Sequence, residues 1–175
     1  MNRSTDAILA QDDEALLREC RVSFFKSGGP GGQKRNKTSS AATIIHTPTG
    51  IEAQSSDFRT QAENRVRALH RLRFKIAAAM RTTIEKPFYQ PPEWAAAFKG
   101  AGQVRVNVKN IAFARVAAHL LDLLAAADGK VSPAAALLGV SSSSFARLLK
   151  QEHGIWDAAC RIRRHAGPPA SASRI

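Results

Sequence analysis

Residues 28–38 combine a dense run of glycine with one glutamine and a burst of positive charge, in the sequence GGPGGQKRNKT. Glycine has no β-carbon, so the backbone at Gly31 and Gly32 can approach a surface that any side chain would obstruct. Gln33 has amide donors and an acceptor but no useful acidity or nucleophilicity. A catalyst built on Gln33 would therefore position a water or stabilise an oxyanion through amide donors, and hydrolysis of an acyl ester fits that chemistry.

Two other interpretations of this loop are a flexible turn and a phosphate-binding loop. A nucleotide-binding loop needs glycine, four residues, glycine, lysine, and then serine or threonine before a helix, which the run from Gly28 does not supply. A simple turn needs no more than one or two glycines. The composition therefore favours a backbone that makes a close approach to a partner.

The loop also lies within a longer segment, about residues 14–86, that resembles the peptidyl-tRNA hydrolase domain of bacterial-type class I peptide chain release factors. The resemblance is carried by two ordered blocks, which makes a chance match improbable. The matching residues of the first block are Ser27, Gly28, Pro30, Gly31, Gly32, Gln33, Asn36, Lys37, Thr38, Ser40, Ala41, His46, Pro48, Thr49, Gly50 and Ile51, and those of the second are Asp57, Arg59, Thr60, Gln61, Asn64, Ala68 and Leu69.

The resemblance implies that Gly31, Gly32 and Gln33 catalyse ester hydrolysis of peptidyl-tRNA at the peptidyl transferase centre of the ribosome. It also implies a monomer without a cofactor and a glutamine methyltransferase that modifies Gln33. The chain departs from decoding factors at Lys34 and Arg35, where those proteins usually carry histidine and valine. A chain of 175 residues has no room for their stop-codon-reading domains, so we expect a small codon-independent or release factor-like member that rescues stalled ribosomes.

The charge of the chain points to a polyanionic partner. The formal net charge is +12, and residues 21–90 account for +9 of it, with 13 Lys or Arg against 4 Asp or Glu. A solvated surface is the alternative, but solubility rarely needs this much charge of one sign. The predicted RNA contacts are Lys34, Arg35, Lys37, Arg59, Arg161, Arg163 and Arg164.

The sequence offers no pattern for a metal or a disulfide framework. Cys20 and Cys160 are isolated, and the five histidines form no zinc-ligand spacing with them. No apolar stretch has the length needed to cross a bilayer, and the acidic start argues against a signal peptide. We therefore expect a cytoplasmic protein without metal or membrane contact.

The local patterns predict an α+β fold: a small β-sheet with a long helix and the Gly-Gly-Gln loop, followed by an all-α C-terminal segment. Alternation predicts strands at 21–26, 43–45 and 51–55, the last two joined by a turn at 47–50. From 60 to about 85 a helical face recurs at Ala62, Val66, Leu69, Leu72, Ile76 and Met80, and the arginines, Arg73 among them, fall on the remaining positions.

The proline-rich segment 87–92 predicts a linker, within which Phe88 and Tyr89 either stack on a base or pack against the preceding helix. The predicted organisation is a flexible start at 1–13, the release factor domain at 14–86, a helical domain at 93–165 and a disordered tail at 166–175. The composition from Arg161 onward, taken by itself, is typical of a basic and disordered terminus. Helices predicted at 111–127, 132–138 and 142–150 have the spacing of a helix-turn-helix. Two alternative functions stay open: a non-catalytic ribosome- or RNA-binding protein, and a DNA-binding regulator.

Overall fold

The computed structural model describes residues 4–26, 39–86, 89–100 and 103–166 of the chain. Backbone contacts divide it into two compact units, Met1–Ile76 and Ala77–Ile175. The first unit holds a three-stranded antiparallel sheet with helices, and the second is mainly helical, which confirms the predicted α+β class. The division between the units falls before the segment 87–92 that the sequence suggested as a linker.

The first unit places one strand at the centre of a small sheet. Its elements are α1 (Thr5–Leu9), α2 (Asp13–Arg18), β1 (Cys20–Phe25), β2 (Ala41–His46), β3 (Ile51–Ser55) and α3 (Gln61–Ala79), whose residues from Ala77 onward belong to the second unit. The strand order is β1-β2-β3, so β2 pairs on both sides. The predicted turn is confirmed: residues 47–50 connect β2 to β3, with Gly50 at φ 69° and its N–H bonded to the His46 carbonyl at 2.8 Å.

The core of this unit forms where the alternating face of the sheet and the apolar face of α3 are both buried. Ile44 lies opposite Val22 and Ala53 in the strand register, and Ile44 and Ala53 are fully buried. Leu69, Leu72 and Ile76 are buried on α3 as predicted, whereas Val66 is 65 % exposed. The helical period alone placed Val66 inside, but the neighbouring elements cover the side of α3 that carries Asn64.

The start of the chain is not a loose segment, and this prediction is wrong for residues 5–9. Ile8 and Leu9 of α1 are 2 % exposed, and Ser4 caps the helix by accepting from the N–H of Ala7. Arg73 of α3 holds this segment in place, because its guanidinium donates to the carbonyls of Leu9 and Gln11 and to the Asp13 carboxylate.

The prediction for Arg73 is wrong. The helical pattern assigned it to the solvent-facing side of α3, but it is only 1 % exposed. Its bonds to Gln11 and Asp13 are both 2.9 Å. A buried guanidinium is tolerated only when such acceptors replace water. Arg73 therefore fastens α1 and α2 to α3.

The long helix ends at Ala79, before the predicted end near 85. The guanidinium of Arg81 turns back and donates to the Ala77 carbonyl, one of the acceptors that a helix end leaves without a partner. The next amide, of Thr82, donates to the Asp122 carboxylate at 3.1 Å. These contacts of Arg81 and Thr82 end the helix, whereas the predicted end near residue 85 was based on the prolines that follow.

The second unit confirms the predicted series of helices. Its elements are α4 (Glu93–Phe98), β4 (Lys99–Gly100), β5 (Gln103–Val104), α5 (Phe113–Ala126), α6 (Val131–Leu138), α7 (Ser142–Leu149) and α8 (His153–His165). Gly139 ends α6 with a left-handed φ of 70°, and Ser141 caps α7 by accepting from the N–H of Ser144 at 3.2 Å. The short β4–β5 pair had no signal in the sequence analysis.

The basic residues near the C-terminus lie on a helix, so the expectation of a disordered terminus is wrong for 161–165. Ile155, Ala158 and Ala159 give α8 a buried face. Glu152 caps its first turn by accepting from the N–H of Ile155 at 2.8 Å. Burial of this face, rather than the local composition, holds α8 in place. Residues 167–175 lie outside the described part of the chain.

Tyr89 packs on α5. Its hydroxyl is 2.7 Å from Nε2 of His119, and the two rings stack with centroids 5.7 Å apart. Partial burial raises the pKa of Tyr89 to about 12. Tyr89 is thus a packing residue within the second unit, while Phe88 lies outside the described residues. No helix in the described ranges is long and apolar enough to cross a membrane.

Asp122 provides a measurable pH dependence for the second unit. It is 5 % exposed and accepts from Arg81 at 3.0 Å and from the N–H of Thr82. Burial raises the pKa of Asp122 to about 6, against an ordinary value of 3.8, and the bonds from Thr82 and Arg81 only partly oppose that shift. Burial also lowers the pKa of Arg81.

Because the folded state binds the Asp122 proton more tightly than the unfolded state, the contribution of Asp122 to stability is fully present below about pH 4 and is lost as the pH rises through about 6. A shift of this size corresponds to about 3 kcal/mol. The pH dependence should be seen in denaturant unfolding followed by tryptophan fluorescence, since Trp94 and Trp156 are the only tryptophans and both belong to the second unit.

Asp122→Asn should remove the pH dependence that Asp122 gives to the stability of the second unit, because an amide keeps an acceptor for Arg81 and Thr82 but does not titrate. Asp128→Asn is the matched control, since the Asp128 side chain is 75 % exposed. Equal pH profiles for Asp122→Asn and the parent chain would contradict the assignment.

Candidate active site

The predicted catalytic segment connects two strand ends that lie directly opposite each other. Phe25 closes β1 and pairs in register with Ala41, which opens β2. Cα atoms of such antiparallel partners are about 4.5–5.5 Å apart. The segment between them contains Gly31, Gly32, Gln33, Lys34, Arg35 and Lys37, and these residues lie outside the described ranges. What the structure defines is the base from which this loop leaves and to which it returns.

Asn64 holds the returning end of the loop from within the protein. It is fully buried in the first turn of α3, and its Nδ2 donates to the Ser40 carbonyl at 2.8 Å. The same amide donates to the carbonyls of Phe58 and Thr60, and its Oδ1 accepts from the Phe58 N–H and the Ser55 hydroxyl, both at 3.0 Å. One side chain thus joins the loop base, the end of β3 and the turn before α3.

Gln61 makes a second, solvent-exposed contact with the same stretch of chain. Its Nε2 donates to the Ser39 carbonyl at 2.7 Å. The helix start that carries Gln61 is itself fixed by a reciprocal cap, in which Thr60 Oγ1 accepts from the Glu63 N–H and donates to the Glu63 carboxylate. Two consecutive carbonyls before β2 are therefore held by two amide side chains of α3.

The turn between β3 and α3 is braced by an arginine pair. Arg71 donates to the Gln54 carbonyl and to the Asp57 carboxylate, both at 2.9 Å, and Arg67 reaches the same carboxylate at 3.4 Å. Arg59 lies between Phe58 and Thr60, whose carbonyls Asn64 holds, and its side chain is exposed. The structure therefore places Arg59 at the base of the loop with its charge directed to solvent.

His46 and Cys20 face each other in the register, but the geometry does not make them a catalytic pair. The His46 ring is fully buried, with Nδ1 2.8 Å from Thr49 Oγ1 and Nε2 3.3 Å from Glu19. Burial, assisted by the charge of Glu19, raises the pKa of the Cys20 thiol to about 11, so it is not a thiolate at neutral pH. Moreover, His46 ends the strand that Ala41 begins, so it lies about 17 Å from the loop base.

The remaining predicted RNA contacts, Arg161, Arg163 and Arg164, lie in the second unit on α8, and all three are exposed. Gln61 and Asn64 were marked only by the family resemblance, and neither was assigned a structural role. A usable signal was present, since two amide side chains in the first turn of a helix can reach backbone carbonyls nearby.

A family model described as the RF-1 domain matches residues 14–118, more than half of the chain. The chain belongs to the class I peptide chain release factor family. The match includes the glycine-glutamine segment, the sheet and α3, and it ends within α5. Helices α6, α7 and α8 lie beyond the matched residues.

Individual members of the release factor family show the same similarity. The chain is 33 % identical over 124 residues to a peptide chain release factor 1 from Exiguobacterium sibiricum, covering 69 % of this chain and 35 % of that protein. It is 40 % identical over 77 residues to the protein of the same name from Brachyspira hyodysenteriae, covering 42 % and 22 %. The counterpart from Albidiferax ferrireducens is 42 % identical over 77 residues, covering 41 % and 21 %. The chain spans about a third or less of the length of these relatives.

Proposed function

We propose that this chain hydrolyses the ester between a nascent peptide and tRNA on the ribosome, with Gly31, Gly32 and Gln33 at the reacting tip. The family match over residues 14–118, which contains this triplet, is the observation that carries the proposal. The clamp formed by Asn64 and Gln61 supports it, because a loop that must reach into a partner needs a fixed base.

The proposed chemistry follows from what an amide can do. Water adds to the ester carbonyl, and the backbone N–H of Gln33 donates to the oxygen that becomes negative in the tetrahedral intermediate. The bond to the tRNA ribose then breaks, which releases the peptide acid and deacylated tRNA. The Gln33 side chain helps place the water and excludes larger nucleophiles, while Gly31 and Gly32 let the backbone come close.

The charged residues around the tip supply the remaining contacts. Lys34, Arg35, Lys37 and Arg59 pair with phosphates of ribosomal RNA, as charges that position the loop without reading sequence. A glutamine methyltransferase that modifies Gln33 belongs to the same proposal. So does action as a monomer and release that needs no particular codon, as in rescue of stalled ribosomes.

The test is a release assay on purified ribosomes that carry a stop codon, a sense codon or no codon in the vacant site. We expect release in all three cases. Gln33→Ala loses the side chain that places the water, and Gly32→Ala adds a β-carbon that would keep the backbone from the ester. Each should lose at least about 100-fold in release with unfolding curves unchanged. Gln54→Ala is the matched control for Gln33→Ala, since the Gln54 side chain is exposed. Gly50→Ala is the control for Gly32→Ala, because its β-carbon would touch nothing within 4 Å, and it should keep release despite a cost of about 1–2 kcal/mol for its φ of 69°.

Ribosome binding measured by co-sedimentation separates the enzyme from its non-catalytic alternative. Binding without release by the parent chain would support a ribosome- or RNA-binding protein and reject the hydrolase. Full release by either loop variant would remove the glycine-glutamine tip from the mechanism. Release with a stop codon alone would reject codon independence but keep the hydrolase.

A further inference from the structure

The turn between α5 and α6 carries two lysines from distant parts of the second unit. An open groove at this turn is lined by Lys86, Asp128 and Lys130 over a mainly apolar floor. The Lys86 ammonium is 3.5 Å from the Asp128 carboxylate, and both side chains are largely exposed. The turn is held in one shape by left-handed backbone at Asp128 and Gly129.

Helix α8 brings an arginine to the same turn. Gly129 is so close to α8 that a β-carbon on it would lie 2.9 Å from Cα of Arg163 and 3.5 Å from its Cγ. The stem of Arg163 therefore passes beside the backbone that leads into Lys130. Arg163 itself is exposed.

The same side of α8 leads on to a fourth cation. Trp156 precedes Arg163 by two helical turns, so both side chains leave α8 within about 20° of each other, whereas Arg161 leaves it about 160° from Arg163. The Lys150 ammonium lies 5.1 Å from the centre of the Trp156 ring, and this contact orients its charge along α8. Lys86, Lys130, Arg163 and Lys150 thus follow one continuous surface, here called the basic stripe.

The nearby carboxylates cancel only part of this charge. Asp128 is engaged with Lys86, and Glu152, near Lys150, accepts from the N–H of Ile155 at the start of α8. Asp157 is on another side of α8 and pairs with His153 at 3.1 Å. Four cations therefore stand against two carboxylates along the stripe.

We propose that the basic stripe binds the sugar-phosphate backbone of RNA, as a contact of the second unit that is independent of the glycine-glutamine loop. Lysine and arginine at successive positions are what phosphate recognition requires. Three of the four cations come after residue 118, so the family match does not include them. The choice of RNA as the polyanion rests on the proposed function, because a ribosome presents RNA.

The stripe recognises charge rather than base sequence. Base reading requires side chains such as asparagine, glutamine or arginine that reach base edges from a helix in a groove. The first turn of α7, where a helix-turn-helix protein would carry them, has only the short side chains of Ser142, Ser143 and Ser144, and Ser144 is buried. This composition argues against sequence-selective binding of duplex DNA, which is the competing outcome of the test.

The test uses the full chain and a fluorescent single-stranded RNA of mixed sequence, with affinity measured by anisotropy between 50 and 300 mM salt. Lys130→Gln/Arg163→Gln should weaken binding about tenfold near 0.1 M salt and lower the slope of log affinity against log salt by about 1.4, two contacts at about 0.7 each. Glutamine keeps the Cγ of Arg163 that packs near Gly129. Tryptophan fluorescence of Trp156 checks that α8 stays folded.

Arg105→Gln/Lys109→Gln is the matched control, because it removes the same charge from exposed residues off the stripe. Lys109 precedes α5, whose length of about 21 Å separates it from the α5–α6 turn. We expect this control to bind RNA within about twofold of the parent chain. Equal weakening by both double variants would overturn the stripe, as would an unchanged salt slope or tighter binding of duplex DNA of one sequence.

The RNA contact of the basic stripe and the proposed hydrolase activity can be rejected independently of each other. Gln33→Ala should bind the RNA with the affinity and salt slope of the parent chain while it loses release. Loss of release with a normal stripe effect supports both proposals. A normal stripe effect in a chain that never releases peptide would reject the hydrolase and keep the RNA contact.

Discussion

Asn64→Ala is expected to destabilise the first unit by about 3–5 kcal/mol, at the upper end for single substitutions. The variant removes the donor to the Ser40, Phe58 and Thr60 carbonyls and the acceptor for the Phe58 N–H and the Ser55 hydroxyl. Each buried group left without a partner costs about 1–3 kcal/mol, and the site is too enclosed for water to replace them all. The loss should fall on the loop base, the end of β3 and the start of α3 together.

Amide hydrogen exchange is the measurement for this unit, because both tryptophans lie in the other one. The amides of β2 should lose protection in Asn64→Ala, while the tryptophan-detected unfolding of the second unit stays unchanged. Under the proposed function, peptide release should fall as well, since the base of the loop is no longer held.

Gln61→Ala is the matched control for Asn64. Both residues are amide side chains of α3 that donate to neighbouring carbonyls, Ser39 for Gln61 and Ser40 for Asn64, but Gln61 is exposed and water can take its place. We expect a cost of about 1 kcal/mol or less for Gln61→Ala. If the two alanine variants exchange equally fast at β2, the buried amide is not the element that holds the loop base.

Gly129→Ala is expected to destabilise the second unit by about 2–5 kcal/mol. The φ of 71° costs an alanine about 1–2 kcal/mol. In addition, its β-carbon would lie 2.9 Å from Cα of Arg163 and 3.1 Å from Cβ of Ala166, so α8 must move away. Overpacking of this kind typically costs about 1–3 kcal/mol. Neither term can relax easily, because the Gly129 N–H is bonded to the Leu124 carbonyl at 2.9 Å.

The measurement is denaturant unfolding followed by tryptophan fluorescence, which reports the second unit through Trp94 and Trp156. Gly50→Ala separates the two causes, since Gly50 has almost the same φ, 69°, with nothing within 4 Å of an added β-carbon. Gly50→Ala should lower the stability of the first unit, measured by amide hydrogen exchange, by only about 1–2 kcal/mol. Gly129→Asn, which tolerates left-handed backbone but still carries a β-carbon, should stay destabilised. Recovery of full stability by asparagine would contradict the steric explanation.

Several local patterns were sufficient to predict structure from sequence. Strand β3 at 51–55 and the turn at 47–50 follow from alternation and from Pro48 and Gly50, which constrain the chain over a few bonds. The break between α6 and α7 follows in the same way from Gly139 and Ser141. The Gly-Gly-Gln triplet was also evident from the sequence alone, because the chemistry proposed for it depends on residue types rather than on packing.

Other features depend on which segments lie side by side, and only the tertiary structure decided them. Asn64 is buried and Val66 exposed although both lie on one helix, because the sheet and the loop base cover only the Asn64 side. Arg73 is inside because backbone carbonyls of α1 and its following turn converge on it.

The basic stripe has the same origin, since Lys86, Lys130, Lys150 and Arg163 are far apart in sequence and come together through the α5–α6 turn and α8. Local preference thus determines the elements and the residue types of the proposed active site. Burial and long-range hydrogen bonds, which depend on the whole fold, determine what holds the loop and where the charge accumulates.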